Sequence, residues 1–208
     1  MKNLIKKAYG SFDAALMYGV NKGVHAWNWT TGRTKGDLAN LFSILGCATM
    51  TAGNFIPLGL ISPLISLPWA YFGYRDYFQN KNIERLEKRA LDKGLLDLEV
   101  EGFKLKSAFV GPVFLGISGF ASAHKAIMDY RTEDSKKTES DHETSSFSSM
   151  LINIGISLYG LQFYVMRADY LPPRKNVLQR TADKLADIVR NYRLKPGTVP
   201  LNLNNLDY

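Results

Sequence analysis

One cysteine, Cys47, is all that this chain of 208 residues contains. An internal disulfide is therefore excluded, and so is a zinc site built on cysteine pairs. Histidine is nearly as scarce: His25, His124 and His142 fall in three separate parts of the chain. No H-E-x-x-H helix is present, and no nucleophile-elbow motif frames a serine. The nearest approach to a phosphate loop is TTGRTKGD at 30–37, where Gly36 is followed by Asp37 instead of lysine. Asp141, His142 and Glu143 are adjacent on a polar stretch, and neighbours of this kind rarely converge on one metal ion. No apolar run begins early enough for a signal peptide, since the first starts near residue 38. The expectation is a chain with no cofactor, no assigned catalytic residue and no enzymatic activity.

The most informative absence is that of charge. Residues 38–74, 107–123 and 144–166 contain no Asp, Glu, Lys or Arg, although charged residues make up 22% of the chain. The mean hydropathy of −0.15 hides this segregation. Such unevenness is expected where part of a chain meets hydrocarbon and the rest meets water. A helix rises about 1.5 Å per residue, so a hydrocarbon layer of about 30 Å takes roughly 20 apolar residues. The first run is too long for one crossing and just long enough for two. Pro57-Leu58-Gly59 offers a turn between them, because proline lacks an N–H and glycine accepts unusual backbone angles. The other reading of 57–74 is a segment that re-enters the membrane without crossing it.

The basic residues bear on the topology. Residues 1–37, 75–106, 124–146 and 167–208 hold six, eight, four and eight Lys or Arg. With spans at 39–56, 60–74, 107–127 and 147–166, all but four of the 26 share one side. Lys/Arg-rich loops stay cytoplasmic. The fold class expected is thus all-α: a polytopic helical membrane protein of about four transmembrane helices, with amphipathic cytoplasmic helices and both termini on the cytoplasmic, or equivalent positive, side. The glycosylation triplet Asn28-Trp29-Thr30 then falls on the wrong side to be used.

Seven segments follow. Residues 1–37 form an amphipathic arm at the membrane interface, with Ile5, Tyr9, Phe12, Leu16, Val20, Val24 and Trp27 recurring at helical steps. Residues 38–74 are a transmembrane hairpin. Residues 75–106 are a cytoplasmic helical segment with Gly94 as a stop and Glu84–Lys88 as an i,i+4 pair. Residues 107–127 are the third span, 128–146 an acidic polar outside loop and 147–167 the fourth span. Residues 168–208 carry a second amphipathic helix and an extended tail. The near-neutral balance of 75–106, eight bases to seven acids, argues against nucleic acid as a partner.

Candidate site residues fall into three groups. Trp27, Trp29, Arg33, Lys35, Trp69 and Arg75 are expected at the lipid interface. Ala48, Ala52, Asn54, Gly119, Ala123, Asn153 and Gln162 are expected to pack helix against helix, the small residues by close approach and the amides by hydrogen bonds. Leu178, Leu185, Ile188, Val189 and Tyr192 make an apolar helix face for a partner. The function expected is that of a non-enzymatic accessory or scaffold subunit, binding membrane lipids and other membrane or cytoplasmic proteins, in a larger complex or a homo-oligomer. The other class is a small channel or transporter with a proline-broken helix.

Overall fold

A computed structural model describes the backbone of residues 2–58, 62–94, 97–132 and 139–193, and the side chains of 10–55, 67–94, 97–124 and 147–191. Among the described residues six helices follow one another: α1 (Lys2–Thr31), α2 (Lys35–Leu58), α3 (Ser62–Lys93), α4 (Leu98–Thr132), α5 (Glu139–Arg167) and α6 (Val177–Arg193). No strand occurs among the described residues. Two stretches, Leu98–His124 and Phe147–Arg167, are long and apolar enough to cross a membrane by length and composition.

Local chemistry sets the helix ends. Asp97 caps α4, its Oδ1 accepting from the Glu99 and Val100 amides at 2.9 and 3.3 Å. Asn176 and Gln179 exchange side-chain and backbone hydrogen bonds in a reciprocal cap on α6. Asp37 lies in the first turn of α2 and accepts from the Thr34 amide at 3.3 Å. Gly94 ends α3 at φ 63°, a conformation that other residues resist. The helices do not respect the charge boundaries. α3 continues without a break from the apolar run to Lys93, over Pro68. Of the expected outside loop at 128–146, the flanks are helical up to Thr132 and from Glu139; residues 133–138 lie outside the described ones. So do Gly59 in the expected turn, the side chains of 141–143 and Tyr192, and the tail from 194.

Helices α2 to α5 pack as an up-and-down bundle. α2 runs antiparallel to α3, with Lys35 against Glu87 and Gly73 against Cys47. It also runs antiparallel to α5, with Lys35 against Ala168 and Gly53 against Ser148. α5 in turn runs antiparallel to α4, with Ser118 against Asn153 and Gly111 against Tyr164. One end of the bundle therefore gathers the start of α2, the ends of α3 and α5, and the start of α4. α1 closes over that end. Its Val24 joins Leu38, Ala39, Val165, Met166 and Ala168 in the core, and Asp13 holds Arg167 through two hydrogen bonds of 2.9 Å.

The α2–α5 seam is tight because its residues lack side chains. A Cβ on Gly155 would lie 2.5 Å from Met50 Cγ and 2.7 Å from the Gly46 carbonyl. A Cβ on Gly53 would lie 2.9 Å from the Ser148 carbonyl. This corrects the expected small-residue contacts. Ala48, Ala52, Gly119 and Ala123 are exposed, and a Cβ on Gly119 meets nothing within 4 Å. Four-residue spacing occurs on every face of a helix, and only the face turned to the partner makes the contact.

The bundle interior mixes apolar residues with many polar ones, while its outer faces are apolar. Asn40, Ser43, Asp76, Asn80, Ser107, Ser118, Ser148 and Gln162 are buried. Each bundle helix turns large apolar residues outward: Ile44 and Phe55 on α2, Leu67 and Tyr71 on α3, Phe109 and Phe120 on α4, Phe147 and Ile154 on α5.

Candidate functional site

A stripe of polar residues runs down one face of α3 into the bundle. Asp76, Asn80, Glu84 and Glu87 recur at steps of four, four and three, and all are buried. At the inner end, Asp76 accepts hydrogen bonds from the Tyr159 hydroxyl and from Gln162 Nε2 at 2.9 Å, both on α5. Arg75 reaches the other carboxylate oxygen at 3.1 Å. Asn80 links the stripe to α2 by donating to Asn40 Oδ1 at 3.0 Å.

The outer end is ionic. Lys35 is fully buried, with its ammonium 2.7 Å from Glu87, and it also donates to the Ala168 carbonyl near the end of α5. Lys104 of α4 approaches Glu87 at 3.1 Å. One carboxylate therefore ties α2, α3 and α4 together, and Lys35 adds α5. Burial pushes the Lys35 ammonium below the usual lysine range, while Glu87 works the other way. Beside it, Lys81 bridges Asp37 at 2.6 Å and Glu84 at 3.6 Å. Burial alone would raise Asp37, but the Lys81 hydrogen bond and charge hold it below the usual carboxylate range.

The expected interface residues divide. Lys35 does not face lipid: it is the buried cation of this cluster, its ammonium held by Glu87 and the Ala168 carbonyl. Arg33 and Trp29 are exposed. Trp27 is half-buried and donates its indole N–H to the Thr34 carbonyl at 3.2 Å. Trp69 packs edge-on against Phe72 and Tyr159, at 6.1 and 6.5 Å between ring centres. Arg75 is half-exposed over the Phe72 ring. Among the packing amides, Gln162 is buried against Asp76, Asn153 receives the Ser118 hydroxyl on its backbone carbonyl at 3.0 Å, and Asn54 is half-buried. The sequence reading missed Asp76 and Glu87 altogether. It placed Glu84 with Lys88, whereas Glu84 turns inward. Their helical spacing was the available signal, and it reads equally as a solvated face.

The second feature is α6. Leu178, Leu185, Ile188 and Val189 are between 53% and 80% exposed. Arg180, on the opposite face, stacks on Trp29 at 4.8 Å and donates to its carbonyl. The segment before α6 is clamped to the end of α1. Gly32, at φ 75°, lies so close to the Arg174 carbonyl that no side chain fits, and Arg174 N–H donates to the Gly32 carbonyl at 3.1 Å. Asn28 is wholly buried there, donating to the Arg33 and Pro172 carbonyls at 3.0 Å, which leaves no room for a glycan.

Both features position helices. Among the described residues, no three His, Cys, Asp or Glu are placed to hold a metal ion. No protein-family model matches the chain, no curated protein matches its sequence, and no solved structure matches its fold.

Proposed function

We propose that this chain is an integral membrane protein of four spans, α2 to α5, with both termini on the Lys/Arg-rich side. In this reading it serves as a scaffold subunit without catalysis of its own, holding a helix of a partner protein against the apolar face of α6. The apolar exterior of the bundle supports the membrane part. Large outward apolar residues on all four helices suit hydrocarbon, whereas a soluble bundle rarely exposes so continuous a belt. The up-and-down order brings the Lys/Arg-rich ends together, as one-sided retention requires.

The observation that carries the scaffold reading is the orientation of α6. Its polar face is fixed on Trp29 through Arg180, and its apolar face points away from the chain. Affinity purification from mild detergent tests it. Leu185→Asp with Ile188→Asp removes the stoichiometric partner of the unaltered chain. An unchanged set of partners removes the α6 role. For topology, cysteines introduced singly into a Cys47→Ser chain as Arg33→Cys, Lys88→Cys and Arg190→Cys react with an impermeant reagent from one side, and Lys136→Cys from the other. Any other pattern rules out four spans.

The channel or transporter reading draws on Asp76, since an ionisable group buried between the helices of a membrane bundle is functional by default. Liposome flux that Asp76→Asn abolishes would establish it in place of the scaffold reading.

A further inference from the structure

An open cleft of about 760 Å³ lies on the outer face of α3 at the Lys/Arg-rich end. Tyr77, Phe78, Lys81, Arg85 and Lys88 supply most of its α3 wall together with Asn82 and Glu84, whose carboxylate is engaged by Lys81, and Tyr170 closes the other side. At 100° per residue the first five of these α3 positions share one face. The cations are not equivalent. Lys81 is engaged by Asp37 and Glu84. Arg85 and Lys88 are exposed, and among the described residues neither forms an ion pair. Below them lies an aromatic cluster, with Tyr74 and Tyr77 edge-on to Phe78 at 4.8 and 5.4 Å. Side chains on a helix lean toward its N-terminus, so Arg85 and Lys88 lean down toward those rings.

We propose that this cleft binds the phosphate headgroup of an anionic membrane phospholipid, with Arg85 and Lys88 on the phosphate and Tyr77 and Phe78 against the glycerol and the first acyl carbons. The inference rests on the four-span reading, which sets the end of the apolar part of α3 at the membrane surface. Two free cations above aromatic rings match the order of groups in a lipid, phosphate outermost and hydrocarbon beneath. An arginine fork and a lysine point charge together accommodate more than one phosphate oxygen.

The test uses the full chain in mild detergent, titrated with a short-chain anionic phospholipid and followed by native mass spectrometry. A zwitterionic phospholipid of equal chain length and inorganic phosphate are the comparison probes. The unaltered chain retains the anionic lipid selectively. Arg85→Gln with Lys88→Gln weakens that retention roughly thirtyfold, at the usual contribution of two basic residues. Lys106→Gln with Arg190→Gln removes the same charge elsewhere and leaves retention within about twofold. Equal loss in both double variants means diffuse electrostatics and overturns the proposal. Inorganic phosphate displacing the lipid at equal concentration overturns the role of the aromatic floor. A chain that stays dissolved and monodisperse without detergent refutes the four-span reading itself. A chain that needs detergent but shows no anionic selectivity refutes only this site.

Discussion

Helices α4 and α5 carry the two stretches long and apolar enough to cross a membrane, and in each an 18-residue window has a mean hydropathy of 1.3. Their surroundings differ. Of the α4 window 17% is buried, and of the α5 window 39%. α4 turns Phe109, Val113, Ile117 and Phe120 outward, while α5 buries Gly155, Tyr159, Gln162 and Tyr164 among its neighbours. Hydropathy sums side chains around the whole helix and is blind to direction. The residues that make α5 the central helix lower its hydropathy: glycines that admit a second backbone and polar groups that meet polar partners.

The contrast can be tested helix against helix. Gly155→Leu drives a side chain into Met50 and the Gly46 carbonyl, and it costs more than about 3 kcal/mol, beyond ordinary overpacking because backbone is in the way. Gly119→Leu on α4 meets open space and falls within about 0.5 kcal/mol of neutral, favoured by helix propensity. Thermal unfolding in one detergent compares the two; equal destabilisation abolishes the distinction between a seam helix and an outer helix.

Lys35→Met ranks next. It leaves Glu87 with Lys104 alone and the Ala168 carbonyl without its donor, a loss of about 3 kcal/mol, near the lower end for a broken buried pair. Lys35→Met with Glu87→Leu recovers most of that loss, because the uncompensated charge is gone. Failure of the double variant to recover shows that the ion pair itself, and not relief of an orphaned carboxylate, sets the cost. Tyr159→Phe is milder. It withdraws one of the donors to Asp76 and leaves Gln162 and Arg75 in place, for about 1–2 kcal/mol in the same assay. A null effect would mean that the stripe does not hold α3 to α5.

The smallest effect concerns α1 and acid. The Arg167 hydrogen bond, with the guanidinium charge, holds Asp13 below the usual carboxylate range against the opposing effect of burial. A depressed carboxylate contributes stability above its unfolded value, and the contribution is lost as pH falls through the folded value, here below about pH 4. Relative to the intrinsic rate at each pH, hydrogen exchange of α1 amides therefore quickens on acidification more than that of α4. Asp13→Asn shows the quickened exchange at neutral pH and no further acid step at that helix.

Much of the fold was legible. The charge-free runs, read against the length of a helix, announce the apolar halves of α2 to α5. Gly94 marks the end of α3 and Asp37 the start of α2 through local backbone chemistry. The site was legible only in outline. Gln162 was singled out for a polar bond between helices, and its partner turned out to be Asp76, just past the end of an apolar run. Glu87 and Lys35 looked like two surface charges far apart in the chain, because nothing local distinguishes a charge that will meet its opposite from one that will meet water. Gly46 and Gly155 were passed over in favour of Ala48 and Ala52, which have the better spacing and the wrong direction.

The residues alone determine that this chain is helical, that its oily and charged stretches alternate, and that its basic residues gather in segments that an even number of crossings would unite. Those properties depend on rise per residue, on backbone preference and on the cost of moving charge out of water, all additive along the chain. Which face of each helix turns inward, which carboxylate meets Lys35 and which glycine admits a neighbouring backbone were decided by the tertiary structure. Those depend on distance between residues remote in sequence, and contact energies at a few ångströms have no counterpart in a one-dimensional pattern.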